Sequence, residues 1–325
     1  MTIKLTRRAA LGLGAGMGAA LLASPAILQA APAKVLRVGW QKGGLLGLVK
    51  GSGAFEKAFA DQGIAVSWAE FTSGPPLLEA LSANALDFGY TGNVPPIFAH
   101  AARGNLVFVG AGKGSLEGHA ILVPTDSPIQ TLAELKGQKL AFKRGSSAHY
   151  ATIKLLETVG LTLDDIQPQD LSPPDAIAAF DAKAIGAWTI WDPYFAMAEA
   201  RPNTRVLSTT EELGAEYNFY SANGDYAREN PELIRKAVEV VAQTGEAGQA
   251  NLPETVRVFA EATGLSEEIM NRSLTRKGAN LGGVSFVRPE HVAYEQGVAD
   301  VFFDLGIIPR KLDIASVVWT PETSS

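Results

Sequence analysis

From residue 35 onward the chain repeats one pattern: a short apolar run, a polar or glycine-rich turn, then a stretch of helical character. Residues 35–40 (Val-Leu-Arg-Val-Gly-Trp) read as a strand, followed by Gln41-Lys42-Gly43-Gly44 and a helix over about 45–61. Residues 64–71 alternate as a second strand, broken by Gly74-Pro75-Pro76 before a helix through Leu81. Residues 86–90 form a third strand that ends in Thr91-Gly92-Asn93-Val94-Pro95-Pro96, and a helix runs from there to about Arg103. Residues 106–111 are a fourth strand. Strands alternating with helices predict a mostly parallel sheet covered on both faces.

After the apolar strand at 119–123, stopped by Pro124, the same rhythm starts again. A short helix near 131–135 precedes a strand at 139–142, a tight turn at Gly145 and a helix opening on Ser146 and Ser147 and running to about Val159. A strand at 166–171, a helix at 173–181 and a strand at 184–190 follow, the last running into Trp191-Asp192-Pro193-Tyr194 and another helix. After a short strand at 205–207 and an extended stretch at 217–222, the chain is helical over 231–247, 253–262, 266–274 and 289–305. This pattern predicts an α/β protein of two lobes, each a mostly parallel sheet flanked by helices. Residues 121–221 form the second lobe, inserted between 34–120 and 222–325, with crossovers near 119–124 and 217–222 as the hinge and a ligand cleft between the lobes.

The first 33 residues stand apart. Thr6-Arg7-Arg8-Ala9-Ala10-Leu11 precedes a modestly apolar, Gly- and Ala-rich run ending near Pro25-Ala26-Ile27-Leu28-Gln29-Ala30. This reads as a signal peptide on the twin-arginine route, cleaved after Ala30 or Ala33, and places the mature chain in the periplasm. The leader carries Lys4, Arg7 and Arg8 and no acid, so its removal leaves the remainder three charges more negative than the −6 of the whole chain. Such an acidic exported chain is a poor nucleic-acid or anionic-membrane binder, although local dipoles can still hold a small anion. The absence of cysteine removes disulfides, thiolate metal sites and cysteine nucleophiles together.

Four polar or aromatic turns fall just past the carboxyl ends of the predicted parallel strands, the edge where open α/β sheets bind ligands. They are Trp40-Gln41-Lys42-Gly43-Gly44, Thr91-Gly92-Asn93, Arg144-Gly145-Ser146-Ser147 with His149, and Trp191-Asp192-Pro193-Tyr194. Two come from each lobe, as a ligand held between lobes requires. The turn before the 147–159 helix leaves backbone N–H groups unpaired at the positive end of the helix dipole, an anion site in waiting. Trp188 is expected in the lobe interior and Trp191 facing the cleft, because residues three apart on a strand point to opposite faces. Asp192 before Pro193 reads as a helix cap whose carboxylate is also in reach of a ligand or the other lobe. The four histidines (100, 119, 149 and 291) are isolated in sequence, and no metal, nucleophile-elbow or phosphate-loop motif is present. The expectation is therefore a binding protein with no catalytic residues, cofactor or metal.

These motifs resemble the periplasmic aliphatic sulfonate-binding proteins of ABC importers. The likeness rests on Gly39-Trp40-Gln41-Lys42-Gly43, Glu70-Phe71-Thr72-Ser73-Gly74-Pro75, Thr91-Gly92-Asn93-Val94-Pro95-Pro96-Ile97-Phe98-Ala99, Phe142-Lys143-Arg144-Gly145-Ser146-Ser147 and Trp188-Thr189-Ile190-Trp191-Asp192-Pro193-Tyr194, in that family's order across nearly the whole mature chain. The resemblance implies the type II periplasmic-binding-protein fold, a monomer that binds a small sulfonate and hands it to an inner-membrane permease. Taurine, a sulfate ester or nitrate are the alternative ligands, and an enzyme or a sensor on the same fold the alternative classes.

The chain departs from the family pattern at Gly186, usually an acid, at Asn93, often Asp, and at Trp40, usually Tyr. A sulfonate has three acceptor oxygens and no proton, so its site should offer donors only. The candidates are Gln41, Thr91, Gly92, Asn93, Gly145, Ser146 and Ser147, with Trp191 and Asp192 beside them. Trp40, Lys42, Arg144 and His149 are subsidiary.

Overall fold

The computed structural model describes residues 34–214 and 216–320; the expected leader lies outside the described residues. The strands are β1 (Lys34–Trp40), β2 (Ile64–Glu70), β3 (Phe88–Thr91), β4 (Leu106–Lys113), β5 (His119–Pro124), β6 (Lys139–Phe142), β7 (Gln167–Asp170), β8 (Ala187–Trp191), β9 (Thr204–Thr209) and β10 (Tyr217–Asn223). The helices are α1 (Leu46–Ser52), α2 (Ala54–Phe59), α3 (Gly74–Ser82), α4 (Val94–Ala101), α5 (Ser147–Glu157), α6 (Pro173–Asp181), α7 (Tyr194–Glu199), α8 (Gly224–Glu229), α9 (Pro231–Ala250), α10 (Leu252–Thr263), α11 (Glu267–Leu274) and α12 (Pro289–Asp304).

Two five-stranded sheets result, in the orders β2-β1-β3-β10-β4 and β7-β6-β8-β5-β9. The orders are the same in kind. In each sheet four strands run one way, and the strand in fourth place runs against them: β10 is antiparallel to β3 and β4, and β5 to β8 and β9. Those odd strands are the ones the chain enters on crossing from the other half, which is why their direction is reversed.

This topology corrects the expected hinge. Residues 119–124 and 217–222 are paired strands, β5 inside the second sheet and β10 inside the first. The connections between sheets are instead 114–118 and 210–216, which lack the apolar patterning that marked their neighbours. The first sheet accordingly takes in residues 217–221, and the second begins at His119.

Packing follows the sheets. One face of the first sheet buries Leu36, Val38 and Phe88 with Phe55, Phe59 and Val241 from α2 and α9. Its other face meets α4 and α12 through Ile97, Val298 and Phe302. The second sheet is sandwiched between Leu155 and Leu156 of α5 on one side and Phe180, Trp188 and Phe195 on the other. The single helix expected over 45–61 is two, because Gly53 adopts φ 65° and ends α1 with a left-handed turn. Short α8, unpredicted, is capped by buried Asn223, which accepts from the N–H groups of Asp225 and Tyr226. No described helix is long and apolar enough to cross a membrane.

Candidate ligand-binding cleft

The carboxyl ends of β1, β3 and β8 and the turn after β6 converge on one cleft between the two sheets. Of the residues expected there, Gln41, Lys42, Gly92, Ser146, Ser147, Trp191 and Asp192 line it. The two halves approach closely at this point. A Cβ built on Gly92 would stand 3.0 Å from Ser147 Cβ and Oγ, and one on Gly43 would stand 2.6 Å from the Asp192 carbonyl oxygen.

The turn before α5 is built differently from expectation. Gly145 has φ +72°, as a left-handed turn requires, but its N–H donates inward to His149 Nδ1 at 3.3 Å. Ser146 sits at the N-cap position, yet its hydroxyl donates back to the Lys143 carbonyl at 2.7 Å instead of capping the helix. The donors left at the open end of α5 are the Ser147 hydroxyl and the first backbone N–H groups of the helix, Ser147 and Ala148. His149 is not in the cleft. It is stacked on Phe142 (centroids 4.9 Å apart, planes at 15°) beside Phe98 and Phe302, and burial holds its ring near a pKa of about 4, so it is neutral.

Five further candidates make contacts within the scaffold. Thr91 is buried and its hydroxyl donates to the Gly92 carbonyl. Asn93 caps α4 by accepting from Val94 N–H and donates to the Tyr294 hydroxyl at 2.9 Å, so its amide is committed within the first half. Trp40 is a core residue with Lys50 4.9 Å above its ring. Arg144 is exposed, its backbone N–H on Asp170. Lys42 lines the cleft, but its ammonium donates to the Thr263 carbonyl and lies 3.6 Å from Glu70. Trp188 is buried against Phe180, whereas Trp191 lines the cleft. Gly186 lies at the opposite end of β8 with its N–H on the Lys139 carbonyl, so that departure from the family pattern is remote from the cleft.

Asp192 holds two groups, a backbone N–H and a guanidinium. Its Oδ1 accepts from Ala196 N–H at 3.0 Å at the start of α7, and Arg276 Nε donates to Oδ2 at 2.9 Å. Arg276 also donates to Glu199 at 2.8 Å and lies 3.7 Å over the Phe195 ring. Burial pushes the Asp192 carboxyl up, with the guanidinium working against it. Since Arg276 follows α11, this partly buried ion pair ties the first half to the second across the cleft.

Sequence reasoning missed two kinds of residue. One is the apolar end of the cleft, formed by Phe259, Met270, Leu274, Leu281 and Val284 from α10, α11 and the segment after it. The other is His119, set aside as isolated, with Glu216. His119 is paired in register with Trp191 on the neighbouring strand. Its Nε2 is 2.7 Å from Ser147 Oγ and its Nδ1 is 3.4 Å from Glu216 Oε1. Burial pushes the Glu216 carboxyl up and His119 pulls it partly back. The missed signal was topological: residues flanking the two crossovers necessarily border the cleft. Among the described residues, no three His, Asp or Glu side chains gather as a metal site.

Comparison with known proteins places this geometry. The NMT1/THI5-like family model matches residues 57–255. An Escherichia coli K12 protein named for binding aliphatic sulfonates is 36% identical over 289 residues, 89% of each chain. The alkanesulfonate-binding protein of Xanthomonas axonopodis pv. citri, solved bound to MOPS, is 33% identical with a TM-score of 0.83, over 89% of this chain and 99% of that one. A taurine-binding periplasmic protein of E. coli K12 is more distant, 24% identical over 64% of this chain and 67% of its own length.

Proposed function

The chain belongs to the NMT1/THI5-like family, and on that premise we propose that it is the periplasmic solute-binding component of an ABC importer, capturing an aliphatic sulfonate between its lobes for a membrane permease. It is a binding protein and not an enzyme, as its close relatives are. The leader read in residues 1–33 would deliver it across the membrane, and it would act as a monomer.

The observation that carries the reading is the chemical polarity of the cleft. One end presents the N-terminus of α5, the Ser147 hydroxyl and the amide of Gln41, which also donates to the Tyr90 carbonyl at 3.2 Å. The side contributed by α10, α11 and the segment after them is mostly apolar, with Phe259, Met270, Leu274 and Leu281 beside Ser273 and Asn280. Donors suit three acceptor oxygens bearing a permanent negative charge, and charge-assisted bonds of this kind contribute roughly 1.5–3 kcal/mol each. The apolar end suits a hydrocarbon tail and would strip water from the ammonium of taurine without pairing it.

Thermal melts of the mature protein against linear alkanesulfonates, taurine, sulfate esters, sulfate and nitrate test this. An alkanesulfonate at 100 times its Kd should add about 2.7 kcal/mol of stability. A shift with taurine or nitrate but none with an alkanesulfonate would move the assignment to that ligand. A shift only with carboxylates or uncharged solutes would remove the anion site.

A further inference from the structure

Ser147 has one hydroxyl hydrogen, and the reading above needs it. A sulfonate oxygen only accepts, so Ser147 must donate to it. The same hydroxyl is 2.7 Å from His119 Nε2. If Nε2 carries no proton, the serine hydrogen is drawn to the ring and the lone pairs of Oγ face the incoming anion. If Nε2 carries a proton, the ring donates to Oγ and frees the hydroxyl to donate into the cleft.

The other ring nitrogen faces Glu216 Oε1 at 3.4 Å, so the two groups share their protons as a pair. A neutral Nε2–H ring beside an ionised carboxylate would set the Nδ1 lone pair against the anion, which leaves two favourable arrangements with a hydrogen on Nε2: an imidazolium beside a carboxylate, or a neutral ring accepting at Nδ1 from a protonated carboxyl. Each holds two protons on the pair and leaves it without net charge. With one proton the pair is an anion in the cleft wall, and Ser147 is turned the wrong way.

We propose, on the sulfonate reading, that ligand binding is coupled to uptake of one proton by the His119–Glu216 pair, and that this pair selects permanently anionic head groups by setting the direction of the Ser147 hydrogen bond.

The surroundings fit a proton held on the pair. Of the cationic side chains at the cleft, Lys42 is tied to Thr263 and Glu70, Lys113 is exposed, and Arg276 is engaged by Asp192 and Glu199. Behind Glu216 stand further groups that add negative charge or none: Glu295, with neither carboxyl oxygen hydrogen-bonded, and the hydroxyls of Tyr150 and Tyr294. Trp191 and Thr210 are the neighbours of His119 on β8 and in the crossover, and neither titrates. Burial acting on Glu216 works in the same direction.

The test is calorimetric titration with ethanesulfonate, which has no titrating group of its own, in Tris and in triethanolamine, since sulfonate buffers would compete. The wild-type protein should take up close to one proton at alkaline pH, seen as a difference in apparent enthalpy between the buffers. Its Kd should rise with pH by up to about tenfold per unit, as one-proton linkage allows. Glu216→Gln fixes the pair without net charge, so its Kd should become nearly independent of pH and its proton uptake should vanish. His119→Gln should lose the uptake and bind more weakly.

Ethanesulfonate binding with no proton uptake and a flat pH profile overturns the proposal and leaves the sulfonate reading standing. Uptake that persists in both variants overturns it too, because the proton then goes elsewhere. If ethanesulfonate does not bind at all, the functional reading fails and this inference fails with it.

Discussion

At the scale of single residues, Ser146 and Ser147 look interchangeable in sequence and do different work. Ser146 spends its hydroxyl on the Lys143 carbonyl, inside the turn, whereas Ser147 presents its hydroxyl to the cleft and His119. Ser146→Ala should therefore lower the melting temperature of the ligand-free protein, by the roughly 1 kcal/mol of an ordinary internal hydrogen bond, and change affinity little. Ser147→Ala removes the buried hydrogen bond to His119 and should lower the ligand-free melt by a similar amount, but it should also weaken alkanesulfonate binding about tenfold or more. Equal effects of the two substitutions on both measurements would show that the pair only caps the helix.

Glu295 is a second residue whose behaviour follows from its surroundings. It is fully buried, and burial, with Glu216 nearby, pushes its carboxyl well above the usual range. An acid whose folded value is raised favours the folded state most below its unfolded value, near pH 4, and that contribution is lost as pH rises. Glu295→Gln cannot ionise. Its melting temperature should match that of wild type near pH 4.5 and exceed it by several degrees at pH 8. A gap of the same size at both pH values would mean that the carboxyl is not ionising as burial requires.

At the scale of elements, most of the fold was legible because its punctuation is chemical. Proline near the start marks α3, α4, α6, α9, α10 and α12, where a missing N–H is harmless and the fixed φ suits a helix. The inner strands β3, β6 and β8 are mostly apolar because both faces are covered, whereas the edge strand β7 is polar and exposed. What the pattern hid were decisions made by tertiary contact. Nothing local distinguishes β5 and β10, the crossing strands, from a hinge, since strand and extended linker share one pattern until partners are known.

The site was legible in the same uneven way. Strand-end turns announced Gln41, Gly92, Ser147 and Trp191, because turn chemistry is written in sequence. Asn93 and His149 sit in the same turns and carry the same chemistry, but packing from α12 and β6 turned them inward. The segment after α11 gave no signal at all. It matters only because it lies across the cleft, held to α9 by Leu281 N–H on Gln249 and Gly283 N–H on Glu246, with Arg276 reaching Asp192.

At the scale of the molecule, the two crossovers at 114–118 and 210–216 are short, adjacent and able to act as a hinge. Adjacency is seen where Gly114 N–H donates to the Glu216 carbonyl. Closure about such a hinge must bring backbone against backbone at the far side, and Gly43 is where this happens. Any side chain there would have its Cβ 2.6 Å from the Asp192 carbonyl oxygen, a distance that backbone on both sides cannot relax away. Gly43 is not at positive φ, so alanine adds no backbone strain, and a ligand-free protein whose lobes have swung apart would escape the contact. Gly43→Ala should thus leave the ligand-free melting temperature within about 1 °C of wild type, as expected of a site away from the core. It should nonetheless weaken alkanesulfonate binding by tenfold or more and abolish the ligand-induced fall in radius of gyration that small-angle scattering should record for wild type. If the wild-type radius does not change on adding ligand, the lobes do not move and the crossovers are not a hinge. If Gly43→Ala binds and contracts normally, closure does not bring position 43 against Asp192, and the cation–carboxylate link from Arg276 to Asp192 must then be made in the open form as well.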